Sequence, residues 1–307
     1  MANPDYQSLI DAKTWDFIRA TEAAYPSDTA SLTIADQRRI YDAMCARFHA
    51  GRPPGVTARD GAIAQVPCRF YAGADPTVLY FHGGGFVVGG LDSHDDICAE
   101  IRAATGFGVV AVDYRLCPEH PHPAAFDDAL AVALALPGPL VLVGDSAGGT
   151  IAAALAHALR GRKPVLGQVL IYPALARDHT GGSYVTHAHA PLLTAADMEF
   201  YAAIRHGGTV PDQPDPSATP LAAGDFSGLP PTLVVAAECD PLADDAPAYA
   251  AKVRAAGGLA WAITEPGLVH GYLRARHSVP RAAASFDRIT RTITAFANRI
   301  WPFGDAP

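Results

Sequence analysis

Apolar positions along the chain fall into short runs separated by longer amphipathic or alanine-rich stretches. The runs Thr77 to Phe81, Gly108 to Asp113, Pro139 to Val143, Val165 to Tyr172, Thr232 to Ala237 and Leu259 to Thr264 have the length and branched content of buried strands. Between and after them, Asp92 to Ala104, Pro123 to Leu136, Thr150 to Arg160, Asp244 to Ala256 and Ala282 to Ile300 predict helices, the first opening on Asp92-Ser93-His94-Asp95. Upstream, Tyr6 to Ala23 and Thr33 to Phe48 predict two more helices, the second with Ser31 or Thr33 as N-cap, and Gly61 to Tyr71 turns strand-like. Strand and helix alternate in the βαβ manner, which implies an α/β fold: a mostly parallel central sheet with helices on both faces. The rhythm breaks from Ala174 to Ala223, a stretch rich in Pro, Gly, His and Thr around one helical piece, Thr194 to Arg205. Such an insertion can roof a site, and the sheet itself places chemistry at the loops leaving the carboxyl ends of its strands.

A chain of 307 residues, 50% hydrophobic and 18% charged, holds one large α/β domain or two small ones and is neither disordered nor fibrous. Its net charge of −8 argues against nucleic acid or an anionic membrane as partner, since both need a basic surface. The longest apolar stretch, Ala129 to Val143, is broken by Pro137-Gly138-Pro139 and reads as a helix end followed by a strand, not as a membrane span. Asp5, Asp11, Lys13 and Asp16 interrupt the first twenty residues, unlike a secretory signal, so the cytoplasm is the expected compartment. The five cysteines, Cys45, Cys68, Cys98, Cys117 and Cys239, are scattered without C-x-x-C spacing and read as reduced packing residues. Cys239, next to Asp240, is either a buried filler or a thiol open to reagents.

Candidate chemistry gathers where the sheet predicts it. Gly144-Asp145-Ser146-Ala147-Gly148 follows the run ending at Val143 and opens an alanine-rich helix, the strand, turn and helix context of a nucleophile elbow. Such a turn exposes the Ser146 oxygen and aims the N–H of Ala147 at an attacked carbonyl. His82-Gly83-Gly84-Gly85 ends another strand, and glycines there let backbone N–H groups approach an oxyanion. Gly83 and Gly84 are the expected donors, Ala147 the third, each typically worth ~3 kcal/mol to the transition state. An acid placed after the serine and before the histidine is met by Asp240; Asp244 and Asp245 compete and are better read as first-turn groups capping the next helix. Among twelve histidines, His270 follows the strand Leu259 to Thr264 by a short loop and falls on the same rim as Ser146 and Asp240. His82 reads as a brace of the glycine turn, and His187 and His189 form an H-x-H pair without nearby carboxylate or cysteine ligands, so no metal is expected.

Taken in order, His82-Gly83-Gly84-Gly85, Asp113-Tyr114-Arg115-Leu116-Cys117-Pro118-Glu119-His120-Pro121, Gly144-Asp145-Ser146-Ala147-Gly148-Gly149, Asp240-Pro241-Leu242 and His270-Gly271 resemble the hormone-sensitive-lipase-like carboxylesterases, over Thr77 to Tyr272. The resemblance implies an α/β-hydrolase core at about 51–173 and 223–307, a helical cap from about 1–50 and 174–222, and no cofactor. It implies Ser146 as nucleophile, His270 as base, Asp240 as orienting acid, and Gly83, Gly84 and Ala147 as oxyanion donors. Asp145 marks the branch of the family with Asp before the serine and is read as a support for the elbow or for subunit contacts. Asp113-Tyr114-Arg115 with Glu119 is read as a buried ion-pair and hydrogen-bond scaffold behind the oxyanion loop. Cys117, His122 and Tyr272 depart from the family's usual residues and bear on substrate preference. The expected reaction is hydrolysis of short-chain carboxylic esters through an acyl-enzyme. An amidase or lactonase would use the same triad. A non-catalytic small-molecule receptor of this fold, in which the family replaces the catalytic histidine, is disfavoured by His270, and a dinucleotide-binding protein by the lack of a G-x-G-x-x-G opening any helix. The expected partner is a small ester; a homodimer stays open.

Overall fold

The computed structural model describes residues 4–26 and 29–304. Eight strands form one sheet: β1 (Ala58–Ile63), β2 (Val66–Tyr71), β3 (Ala74–Phe81), β4 (Phe107–Val112), β5 (Leu140–Asp145), β6 (Val165–Ile171), β7 (Thr232–Cys239) and β8 (Ala260–Val269), in spatial order β1-β2-β4-β3-β5-β6-β7-β8. β1 with β2 and β2 with β4 are antiparallel, and every other pair is parallel. The helices are α1 (Tyr6–Leu9), α2 (Ala12–Glu22), α3 (Ile34–Phe48), α4 (Asp95–Thr105), α5 (Ala124–Ala135), α6 (Ala147–Leu159), α7 (Ser183–Thr186), α8 (Ala195–Arg205), α9 (Asp245–Ala255) and α10 (Pro280–Ala297). None of them is long and apolar enough to cross a membrane, among the described residues.

Strand alternation divides the core in two. Val78 and Tyr80 of β3 and Val141 and Val143 of β5 face the layer holding α4 and α10, while Leu79, Phe81, Leu140 and Leu142 face the layer holding α5 and α6. Both faces are covered, which is why these central strands read as continuous apolar runs.

Two expected elements divide differently. Tyr6 to Ala23 is not one helix: it breaks at Ile10, and Asp11 caps α2 by accepting the N–H of Thr14 at 2.8 Å. Gly61 to Tyr71 belongs to a hairpin of β1 and β2 turned by Ala64 (φ 49°) and Gln65 (φ 69°), neither of which carries the glycine or asparagine that usually announces such a turn. β8 also runs on through Pro266 and Gly267 to Val269, where a loop was expected, with the Gly267 N–H donated to Glu238 Oε2 at 2.7 Å. Thr33 is the cap of α3, accepting the N–H of Asp36. The expected cap and core boundaries run over residues 1–3, 27, 28 and 305–307, which lie outside the described residues.

Candidate active site

β5 ends in a turn that only small residues allow. Ser146 sits at φ 53°, ψ −120°, a conformation costly for a residue with a Cβ, and its N–H is held by Ile171 O at 2.8 Å. A Cβ on Gly148 would stand 2.0 Å from Phe81 O, and one on Gly144 would stand 2.3 Å from Gly148 O, so these two glycines let α6 start against β3. The serine oxygen is thereby presented above the sheet.

Ser146, His270 and Asp240 are brought together from three strand ends. His270, directly after β8, places Nε2 at 2.8 Å from Ser146 Oγ and Nδ1 at 2.7 Å from Asp240 Oδ2. The Asp240 side chain is fully buried, and its second oxygen accepts the N–H of Leu242 at 2.9 Å, which fixes the carboxylate plane. The Tyr172 ring lies beside the imidazole at 4.9 Å between centroids. A hydroxyl, an imidazole and a carboxylate in this chain can pass one proton from oxygen to nitrogen and back.

The glycine turn differs from expectation at one position. Gly83 does not offer a free donor: its N–H is given to Asp145 Oδ1 at 3.0 Å. The N–H groups of Gly84, Gly85 and Ala147 carry no hydrogen bond among the described residues. The free set is therefore shifted by one residue along the turn. His82 braces it as expected: Nδ1 lies 2.8 Å from Gly83 O, and the Tyr114 ring stacks on the imidazole at 4.3 Å while its hydroxyl donates to His82 O at 2.7 Å. Burial, with His94 nearby, lowers the His82 pKa to about 3, so the brace is a neutral ring.

Several neighbours of the motifs take other roles than expected. Arg115 is exposed and pairs with buried Asp128 away from the glycine turn, while Glu119 pairs with Arg38 of α3, whose guanidinium also donates to Val87 O and Cys117 O beside that turn; Tyr114 reaches it through His82. Asp244 and Asp245 do not cap α9. Asp244 accepts the N–H of Ser183 at 2.7 Å, and buried Asp245 accepts the N–H groups of Leu175 and Ala176 and the hydroxyl of Tyr184. Both fasten the 174–222 insertion to the loop after Asp240. Cys239 is fully buried and its thiol is pushed up to about 12 by burial and by the acids on either side, the state of a filler and not of a reactive thiol. His187 Nδ1 faces Tyr6 Oη at 3.1 Å. Of the positions expected to bear on substrate preference, Tyr272 is buried below the site on Ser285, Cys117 is buried, and His122 is bonded to Asp215 and Ser217.

Sequence reasoning missed Tyr201, His94 and Arg274. Tyr201 of α8 lies so close to Gly85 that a Cβ there would stand 2.6 Å from its ring. His94 is 3.4 Å from Asp145, and Arg274 bonds Tyr41 of α3. No local pattern marks any of them, because each acts across the fold.

A family model described as alpha/beta hydrolase fold matches residues 78–274. Among curated proteins the chain is 39% identical over 227 residues to the carboxylesterase NlhH of Mycobacterium tuberculosis, covering 69% of this chain and 71% of that one. It is 37% identical over 240 residues to an ethyl acetate hydrolase of Pseudomonas putida, covering 71% and 74%. Among solved structures, a hyperthermophilic esterase from the archaeon Pyrobaculum calidifontis superimposes with a TM-score of 0.84 at 30% identity, over 94% of this chain and 99% of that one.

Proposed function

The chain belongs to the hormone-sensitive-lipase-like esterases of the α/β-hydrolase superfamily and is a carboxylic ester hydrolase, and we propose that Ser146, His270 and Asp240 carry its reaction on short-chain esters. The observation that carries this reading is the unbroken chain of 2.8 Å and 2.7 Å contacts from Ser146 Oγ through His270 to Asp240, set on a strained turn beside three N–H groups without a hydrogen bond among the described residues.

Ser146 Oγ attacks the ester carbonyl carbon as His270 Nε2 takes its proton. The carbonyl oxygen becomes an oxyanion facing the N–H groups of Gly84, Gly85 and Ala147. Collapse of the tetrahedral state breaks the bond to the alkoxy oxygen, which leaves as alcohol with the proton from His270. Water then gives its proton to His270 and its oxygen to the acyl carbon, and Ser146 recovers its proton as the acid departs. Asp240 keeps the imidazole in the tautomer that carries hydrogen on Nδ1 and stabilises the imidazolium formed in each half.

The short acyl preference rests on the cover. α3 and the 174–222 insertion act as a cap: α3 reaches the oxyanion loop through Arg38, which donates to Val87 O, and α8 lays Tyr201 on Gly85. Both contacts crowd the space above the glycine turn. One experiment tests enzyme and pocket together: hydrolysis of a p-nitrophenyl acyl series by wild type and Ser146→Ala. Wild type should peak at short chains, and Ser146→Ala should lose a factor on the order of 10⁴ or more in turnover while melting at the wild-type temperature. Near-normal activity in Ser146→Ala would remove the nucleophile, and a maximum at twelve carbons or longer would remove the confined pocket.

A further inference from the structure

Behind the triad, the loops that build the site converge on one buried carboxylate that the reaction itself leaves unused. Asp145 ends β5; its Oδ1 accepts the Tyr80 hydroxyl at 2.7 Å and the Gly83 N–H at 3.0 Å, and its Oδ2 stands 3.4 Å from His94 Nε2. His94 is itself 3.4 Å from Nη2 of Arg274, whose guanidinium donates to Ser93 O at 2.9 Å and to the Tyr41 hydroxyl at 2.7 Å. Arg274 follows closely on His270 in the chain, and Tyr41 belongs to α3. Burial opposes ionisation of Asp145, but His94, Tyr80 and Arg274 together bring its pKa below the ordinary carboxylate value, so it accepts these bonds as an anion.

The contact with Gly83 has a geometric consequence. A Cβ on Gly83 would stand 2.5 Å from Asp145 Oδ2, so the glycine and the carboxylate are fitted to each other. The peptide unit is planar, and a charge-assisted bond to its N–H fixes the plane from which the turn continues. Gly84 and Gly85, whose N–H groups carry no hydrogen bond among the described residues, come next. Asp145 is covalently joined to Ser146. A single side chain thus ties the donors to the nucleophile they must serve.

We propose that Asp145 is a positioning residue for the oxyanion hole: through Gly83 it fixes the N–H groups of Gly84 and Gly85 against Ser146, and His94 and Arg274 hold its carboxylate in place. This role presupposes acyl transfer at Ser146 and concerns the transition state alone, since the ground-state ester carries little charge on its carbonyl oxygen.

Asp145→Ala should therefore lower kcat on the order of 10²- to 10³-fold per active site, the cost of losing oxyanion donors, with KM changed by less than about threefold. The inhibition constant of an alkylboronic acid, which adds to the serine as a tetrahedral anion, should rise in parallel with the fall in kcat/KM. Asp145→Asn keeps an amide oxygen for the Gly83 N–H and should stay within about tenfold of wild type. Sites are counted by stoichiometric titration with a phosphonate. A residue that only stabilised the fold would reduce the melting temperature and the count of titratable sites, and leave kcat per site and boronate affinity unchanged. Should Asp145→Ala fail to fold, Gly83→Ala probes the same contact from the other side and should show the same parallel loss. Wild-type kcat and boronate affinity in whichever of the two folds would overturn the positioning role and leave the esterase reading standing, whereas a fully active Ser146→Ala would sink both.

Discussion

At Asp240 the carboxylate faces Nδ1 of His270, so exchanging it for an amide presents a donor where an acceptor is needed and favours the wrong imidazole tautomer. Asp240→Asn should cost ~10⁴ in kcat, while Asp244→Asn, which alters only a bond to the Ser183 N–H, should stay within about threefold. Steady-state rates of the two variants check this, and the reverse ranking would move the acid. The residues that meet at Ser146 were legible because each follows a strand in a short local pattern. Which glycine N–H is free was not legible, because the group that occupies Gly83 lies 62 residues away at Asp145. His94, Arg274 and Tyr201 were hidden for the same reason: a histidine at a helix start, or a tyrosine on a helix, announces nothing until the fold supplies its neighbour. Asp244 and Asp245 misled because two acids at the start of a helix fit a capping rule that the insertion overrides.

Elements were easier to read than their joints. The central strands are buried on both faces and show as apolar runs, whereas the breaks at Asp11 and at Ala64-Gln65 depend on backbone choices with weak sequence signals. The joint between α9 and the insertion has a measurable signature. Burial raises the Asp245 pKa to about 6, against the lowering effect of the N–H groups of Leu175 and Ala176 and of the Tyr184 hydroxyl. The folded protein then binds this proton more tightly than the unfolded chain, whose Asp titrates near ~3.9, so the stability this group contributes is present below about pH 4 and lost as pH rises through 6. Urea unfolding of wild type and Asp245→Asn from pH 4.5 to 7.5 should show the difference in unfolding free energy, wild type minus variant, falling by about 2 kcal/mol. A difference flat across that range would refute the raised pKa.

For the whole molecule, the proposed site is a seam between the sheet that carries Ser146, Asp240 and His270 and the helices of the proposed cap. Tyr201 is where that cap touches the oxyanion loop. Tyr201→Ala should raise the ratio of kcat/KM for p-nitrophenyl octanoate over butyrate on the order of tenfold, the scale at which a hydrophobic pocket discriminates methylenes. An unchanged ratio would put the chain-length limit elsewhere in the cap. The seam is also assembled from distant parts of the chain: Ser146 and His270 are 124 residues apart and meet only across β6, β7 and β8. A chain made from its N-terminus therefore completes its serine turn well before the imidazole that would activate it has been synthesised. On the proposed mechanism, hydrolytic power would arrive late and all at once, with the docking of the last strand, so return of activity on refolding would clock closure of the entire sheet and not the formation of any one motif.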